Sequence, residues 1–353
     1  MLHARRITRR QTLGWLSAAT LAIGAWTPAF ADTKPLQVVA SFSVLGDIVQ
    51  QIGGTDVDVK TLVGRNGDAH GFEPTPRDAR QLGQAQLLFI NGLGFEAWLP
   101  RLQQASGFKG TLVEVSHGIK VRAFDGHAAD HHDDDHKGHD DHDKHDDHDK
   151  SDVNGKRTDA GNSAAAGGHA GHEHDHDHGP NDPHAWQSLA NGAIFARNVA
   201  DALIKADPAH AEAYRTRADA YIARINALDQ TVKAKFAALP PERRRVVSSH
   251  DAFGYFGDAY GVTFIPVSGI STSAEPSAAD LARIIEQVRK EHVSAVFVEN
   301  VSSPRLAEQI ARETGAKLGG ELYSDALSAE GEPAGTYLGM FEWNARQLLS
   351  ALQ

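Results

Sequence analysis

The chain contains 20 histidines and no cysteine. Imidazole and carboxylate are therefore its metal donors, and both thiolate sites and disulfides are excluded. Thirteen of the histidines fall between residues 125 and 182, interleaved with aspartates. Alternating Asp and His can bind several metal ions, but weakly and without one fixed geometry. The seven histidines outside that stretch are His3, His70, His117, His184, His210, His250 and His292. Three of them sit where a ligand site belongs in an α/β protein. His70 follows a strand-like run, His184 lies just before a helix, and His250 comes directly after the strand-like run ending at Ser249. In open α/β sheets, ligands gather beyond the strand ends. Neutral imidazoles converging there suit Zn²⁺, Cu²⁺ or Ni²⁺ better than Mg²⁺ or Ca²⁺. Taken singly, each of these histidines reads equally well as a hydrogen-bonded loop residue. His117, His210 and His292 read as exposed, and Glu299-Asn300, after a strand, as lining for a cleft rather than as ligands.

The local runs around these histidines are more specific. His70-Gly71-Phe72-Glu73-Pro74-Thr75-Pro76-Arg77-Asp78, Asp182-Pro183-His184-Ala185-Trp186, Ser249-His250-Asp251-Ala252-Phe253-Gly254-Tyr255 and Glu321-Leu322-Tyr323-Ser324-Asp325-Ala326-Leu327 occur in that order. Together they resemble the four metal motifs of the zinc/manganese ABC-transporter solute-binding proteins (cluster A-I), most closely the zinc-uptake members. The resemblance covers essentially the whole chain after its first segment. It implies two α/β lobes, each with a mostly parallel sheet, joined by one long rigid helix, with the metal in the cleft between them. It also implies the ligands: His70, His184, His250 and Asp325. Manganese-preferring relatives typically carry a carboxylate at the third position, where this chain has His250. Some zinc members lack an equivalent of Asp325 and use water or another carboxylate, and Glu73 is the next candidate here.

The function implied is a zinc-binding protein that delivers Zn²⁺ to the membrane permease of an ABC importer, as a monomer and not as an enzyme. Manganese or iron binding, and a zinc chaperone or store acting without an importer, are the alternatives. A zinc hydrolase would need an open coordination position and a base beside it. No helix-patterned stretch carries His-Glu-x-x-His, the one such run (His172 to His176) falling in the Asp/His-rich segment without apolar periodicity, and Glu73 is the evident base beside the candidate ligands. One carboxylate and three neutral imidazoles around Zn²⁺ would leave the loaded site at net +1. Protonation of the imidazoles would weaken binding below about pH 6.

Charge and composition set the surroundings. The formal charge is −11, yet residues 125–182 hold 17 acidic against 5 basic residues, leaving 30 basic against 29 acidic elsewhere. The acidity thus belongs to one segment, and no basic stripe points to nucleic acid. That segment lacks periodic apolar residues and reads as a disordered loop. Residues 1–31 read as a signal peptide, with Arg5, Arg6, Arg9 and Arg10, an apolar run over 13–23, and the cleavage site Ala29-Phe30-Ala31. Without a cysteine to carry lipid, the exported protein is expected to be soluble in the periplasm.

The elements that must hold the four ligands follow from periodicity. Strand and helix alternate over 32–206, the first expected lobe, and again over 240–353, the second. Between them, over 207–239, Tyr214, Ala218, Tyr221, Ile225, Leu228, Val232 and Phe236 recur at steps of three and four. This spacing predicts one long linking helix, roughly 45 Å at ~1.5 Å per residue.

Overall fold

Buried apolar runs build the inner strands of both sheets. In a computed structural model, which describes residues 34–124, 181–269, 272 and 276–353, β1 (Leu36–Phe42), β2 (Val57–Val63), β3 (Leu87–Ile90) and β4 (Thr111–Glu114) form a parallel sheet in the order β2-β1-β3-β4. A second parallel sheet holds β5 (Arg245–Ser248), β6 (Thr263–Pro266), β7 (Ala295–Glu299) and β8 (Lys317–Leu322) in the order β6-β5-β7-β8. The two orders are the same, so the lobes repeat one plan that the residues themselves do not advertise. The signal-peptide reading of 1–31 and the loop reading of 125–180 lie outside the described residues.

The first lobe carries α1 (Ser43–Gly53), α2 (Pro76–Gly83), α3 (Leu99–Ser106) and α4 (Leu189–Ala206). The linking helix α5 runs over Ala211–Ala237, 27 residues, or about 40 Å. The second lobe adds α6 (Gly254–Tyr260), α7 (Ala278–Lys290), α8 (Pro304–Thr314) and the closing α9 (Tyr337–Leu352). Helix α5 buries Tyr214, Ala218, Tyr221, Ile222, Ile225, Val232 and Phe236. It packs on α1 and α4 of the first lobe and on α6 and α9 of the second. Residues 35–353 form one compact unit. Its main core runs without a break from Leu36 to Leu352, and a smaller cluster around Val247, Ile265, Ile285 and Ile310 lies apart. A chain of 353 residues is long enough for two separate cores, but the helices between the sheets merge them.

Three local expectations are corrected. The stretch near Phe95 to Ala105 reads as a helix in sequence, but α3 begins only at Leu99, after a turn in which Gly92, Leu93 and Gly94 all take left-handed backbone angles (φ 85°, 57° and 81°). Strand β8 was not expected at all. Its Gly319-Gly320 pair lowers strand propensity, and a Cβ at Gly319 would run into the Phe297 ring. Finally, the expected loop over 125–182 extends too far. Asn181 bridges to Ala123, and Asp182 is fully buried.

Candidate metal centre

Each candidate ligand is presented by a loop leaving a strand or entering a helix. His70 follows β2. His184 precedes a single 3-10 turn (residues 185–187) that leads into α4. His250 directly follows β5, and Asp325 follows β8. All four are buried, with His70 at 5% exposure, His250 at 1%, and His184 and Asp325 at 0%. One donor atom from each lies within 4.8 Å of all the others. His70 Nε2 is 3.3 Å from His184 Nε2 and 3.3 Å from Asp325 Oδ2. His250 Nε2 is 3.1 Å from Asp325 Oδ2, and His184 Nε2 is 3.7 Å from Asp325 Oδ1. Tetrahedral zinc with bonds near 2.0–2.1 Å has donor–donor edges of about 3.3 Å. The four separations above bracket that edge, within a donor set that spans no more than 4.8 Å, so the cluster is compact enough to close around one ion.

The ring orientations are set from behind. Asp182 Oδ1 lies 2.9 Å from His184 Nδ1, and Glu299 Oε2 lies 2.6 Å from His250 Nδ1. A carboxylate behind Nδ1 favours a proton on that nitrogen, so that Nε2 is the atom turned toward a metal. The backbones are fixed in the same way. Asp182 Oδ1 also accepts the His184 amide at 2.9 Å, and Asp68 Oδ1 accepts the His70 amide at 2.9 Å. Glu299 Oε1 accepts the amides of Ser249 at 2.8 Å and His250 at 3.1 Å. Across the lobes, Trp186 Nε1 and Gln187 Nε2 donate to Ser324 O at 2.8 and 2.7 Å, which seats the loop bearing Asp325.

Charge in this volume is concentrated and negative. Asp182, Glu299 and Asp325 are all fully buried, and Arg122 Nη1 lies 3.4 Å from Asp182. Burial pushes the His250 imidazole toward the neutral form, but Glu299 and Asp325 outweigh it and hold its pKa well above 6.5. Burial opposes the charge on Asp325 too, yet the neighbouring imidazoles of His250 and His184 hold its carboxyl well below 3.8. For His70 burial prevails over Asp325, and its pKa is lowered. Asp325 Oδ1 is buried without a hydrogen-bond donor. A dication with three neutral imidazoles and Asp325 would carry the expected +1, and the buried carboxylates of Asp182 and Glu299 behind the rings would offset it.

The other candidates separate cleanly. Glu73 is exposed and stands outside the cluster, as do the exposed His117 and His292. His210 is half-buried rather than exposed, with Nδ1 2.6 Å from Asp207. Asn300 links the lobes through Asn66 Oδ1 and Ala326 O, at 3.0 and 3.2 Å. Asp68 and Asp182 were not singled out as functional from sequence, although a signal existed. Each stands two residues before a histidine, the spacing at which an aspartate accepts the amide of residue i+2.

Comparison with known proteins agrees with this architecture. The family described as zinc-uptake complex component A, periplasmic (ZnuA), matches residues 38–351. The chain is 27% identical over 352 residues to the metal ABC transporter substrate-binding lipoprotein SsaB of Streptococcus sanguinis, covering 96% of this chain and 98% of that protein. It is 28% identical over 328 residues to the iron ABC transporter substrate-binding lipoprotein MtsA of Streptococcus pyogenes serotype M1, covering 91% and 90%. Among solved structures, the periplasmic zinc binding protein TroA from Treponema pallidum superposes with a TM-score of 0.72 at 27% identity, over 91% of this chain and 99% of that one. An Mn-bound periplasmic metal binding protein from Candidatus Liberibacter asiaticus gives 0.69 at 26% identity, over 91% and 100%. With a buried His/Asp cluster set between twin parallel-sheet lobes, and a match spanning nearly all of the chain, this protein belongs to the ZnuA-like family of metal ABC-transporter substrate-binding proteins.

Proposed function

We propose that the protein binds Zn²⁺ through His70, His184, His250 and Asp325 and delivers it, in the periplasm, to the membrane permease of an ABC importer. The observation that carries this reading is the set of donor separations, 3.1 to 3.7 Å between buried nitrogen and oxygen atoms. Three nitrogens and one oxygen form a donor set that tetrahedral zinc favours, whereas Mn²⁺ prefers more oxygen. Four protein donors leave no position for an activated water, which favours holding the ion over hydrolysis. The division into lobes over 32–206 and 240–353, with 207–239 between them, belongs to the same reading. So does the export signal over 1–31.

A manganese or iron reading has one observation in its favour. Asp325 Oδ1 is buried and free of donors, so the carboxylate has a second oxygen to offer a metal of higher coordination number. The relative MtsA is named for iron, and a structural neighbour holds manganese. Competition of Zn²⁺, Mn²⁺ and Fe²⁺ against a chromophoric chelator, on the protein without residues 1–31, separates the readings. The zinc reading requires Zn²⁺ to bind at least 100-fold more tightly than Mn²⁺. Equal affinities, or a preference for Mn²⁺ or Fe²⁺, would overturn it.

A further inference from the structure

One fully buried carboxyl takes no part in the metal cluster. Burial pushes the Glu96 carboxyl up to about 7, against hydrogen bonds from Ser41 and the amides of Asn91 and Gly92 that favour its charge. Glu96 Oε1 accepts Ser41 Oγ at 2.7 Å and the Asn91 amide at 2.7 Å, while Oε2 accepts the Gly92 amide at 3.2 Å. Placing a carboxyl in an apolar interior is unfavourable unless its hydrogen bonds are met. These three bonds fasten strand β1 to the turn between β3 and α3, the turn whose left-handed residues include Leu93 at φ 57°.

That turn grips both ligands of the first lobe by the residue before each. Asn91 Nδ2 donates to the carbonyl of Pro183, next to His184, at 2.9 Å. Trp98 Nε1 donates to the carbonyl of Ala69, next to His70, at 3.0 Å. Between them, the Phe95 ring meets both imidazoles edge-on, with centroids 5.1 Å from His70 and 6.2 Å from His184. His70 and His184 come from segments 114 residues apart in sequence, yet their Nε2 atoms stand 3.3 Å apart.

We propose that Glu96 is the positioning residue of this half of the metal centre: by locking the β3–α3 turn, it sets the separation of His70 and His184. Both of its oxygens accept backbone N–H groups, so a glutamine must turn its own N–H₂ toward one of those donors. Loss of an outer partner typically weakens metal binding by about 10- to 100-fold.

The proposal rests on the zinc-binding reading, and its test keeps the two apart. Zinc affinity is measured by chelator competition, and melting temperature by calorimetry, for the wild-type chain and for Glu96→Gln, Trp98→Phe and Asn91→Ala. Tyr214→Phe, which removes a hydrogen bond to Asp207 on α5, serves as a control for stability loss away from the centre. The expected result is a Kd weakened about 10- to 100-fold in Glu96→Gln, a smaller loss in each of the other two, and wild-type affinity in the control. Combining Glu96→Gln with Asn91→Ala should cost less than the product of the single losses, because both act through one turn. If Glu96→Gln does not fold, Trp98→Phe and Asn91→Ala decide the matter alone. Variants that melt earlier but bind zinc within twofold of wild type would overturn the proposal. A wild-type chain that binds no zinc would instead overturn the function on which it rests.

Discussion

At the scale of single residues, the protonation of the candidate centre is set by the groups that stand around His250. Glu299 and Asp325 keep a proton on His250 in the empty site, so a metal ion must displace that proton to bind. Affinity therefore rises with pH. Because the pKa of His250 lies above 6.5, the loss on acidification should begin at a higher pH than the ~6 expected of ordinary imidazoles. Zinc titrations between pH 8 and 5.5 check this, and affinity that stays flat across the range would contradict it. Glu299→Gln should lower the pH at which affinity begins to fall and weaken binding at pH 8 by about 10- to 100-fold. His250→Ala or Asp325→Ala removes a donor outright and should cost more than either second-tier change. His70, His184 and His250 stood out in sequence by their places next to strands or a helix, whereas Asp325 was named only by the resemblance of the four motifs, since β8 before it carried no strand signal. Glu299 was placed near the cleft but not as the partner of His250, since 49 residues separate them and only the pairing of β5 with β7 brings them together.

At the scale of elements, periodicity carried most of the fold. The apolar spacing over 207–239 marks the face that α5 buries, and its aromatic end reaches the second lobe. Phe236 meets Phe256 and Tyr260 with ring centroids 5.6 and 6.3 Å apart. Phe236→Ala should lower unfolding free energy by about 3–5 kcal/mol, read from urea denaturation of the zinc-free protein. A loss below about 1 kcal/mol would mean that this end of the helix does not join the lobes. What periodicity did not reveal was set by tertiary packing. Strand β8 holds Gly319 where the Phe297 ring leaves no room for a Cβ, and a glycine pair carries no strand signal. The turn before α3 is similar: an apolar run that reads as helix is diverted by three left-handed residues, which the Glu96 carboxyl holds in place.

At the scale of the whole molecule, the ion and the fold support each other. The four candidate donors come from both lobes, so an ion held by them would join lobes that already share a core. An ion bound only by the folded state stabilises it by RT ln(1 + [L]/Kd), about 2.7 kcal/mol at 100 times Kd. Zinc should accordingly raise the melting temperature in a concentration-dependent way, and His250→Ala should abolish most of that rise. The Asp/His-rich segment suggests metal in the sequence, but four buried donors of the folded lobes already form a complete cluster among the described residues. Tight binding is therefore expected at that cluster. The most direct test is anomalous diffraction at the zinc edge from crystals of the chain lacking residues 127–178, loaded with one equivalent of Zn²⁺. The account requires a single strong peak bonded to Nε2 of His70, His184 and His250 and to a carboxylate oxygen of Asp325. A peak elsewhere, or loss of tight binding along with the segment, would contradict it.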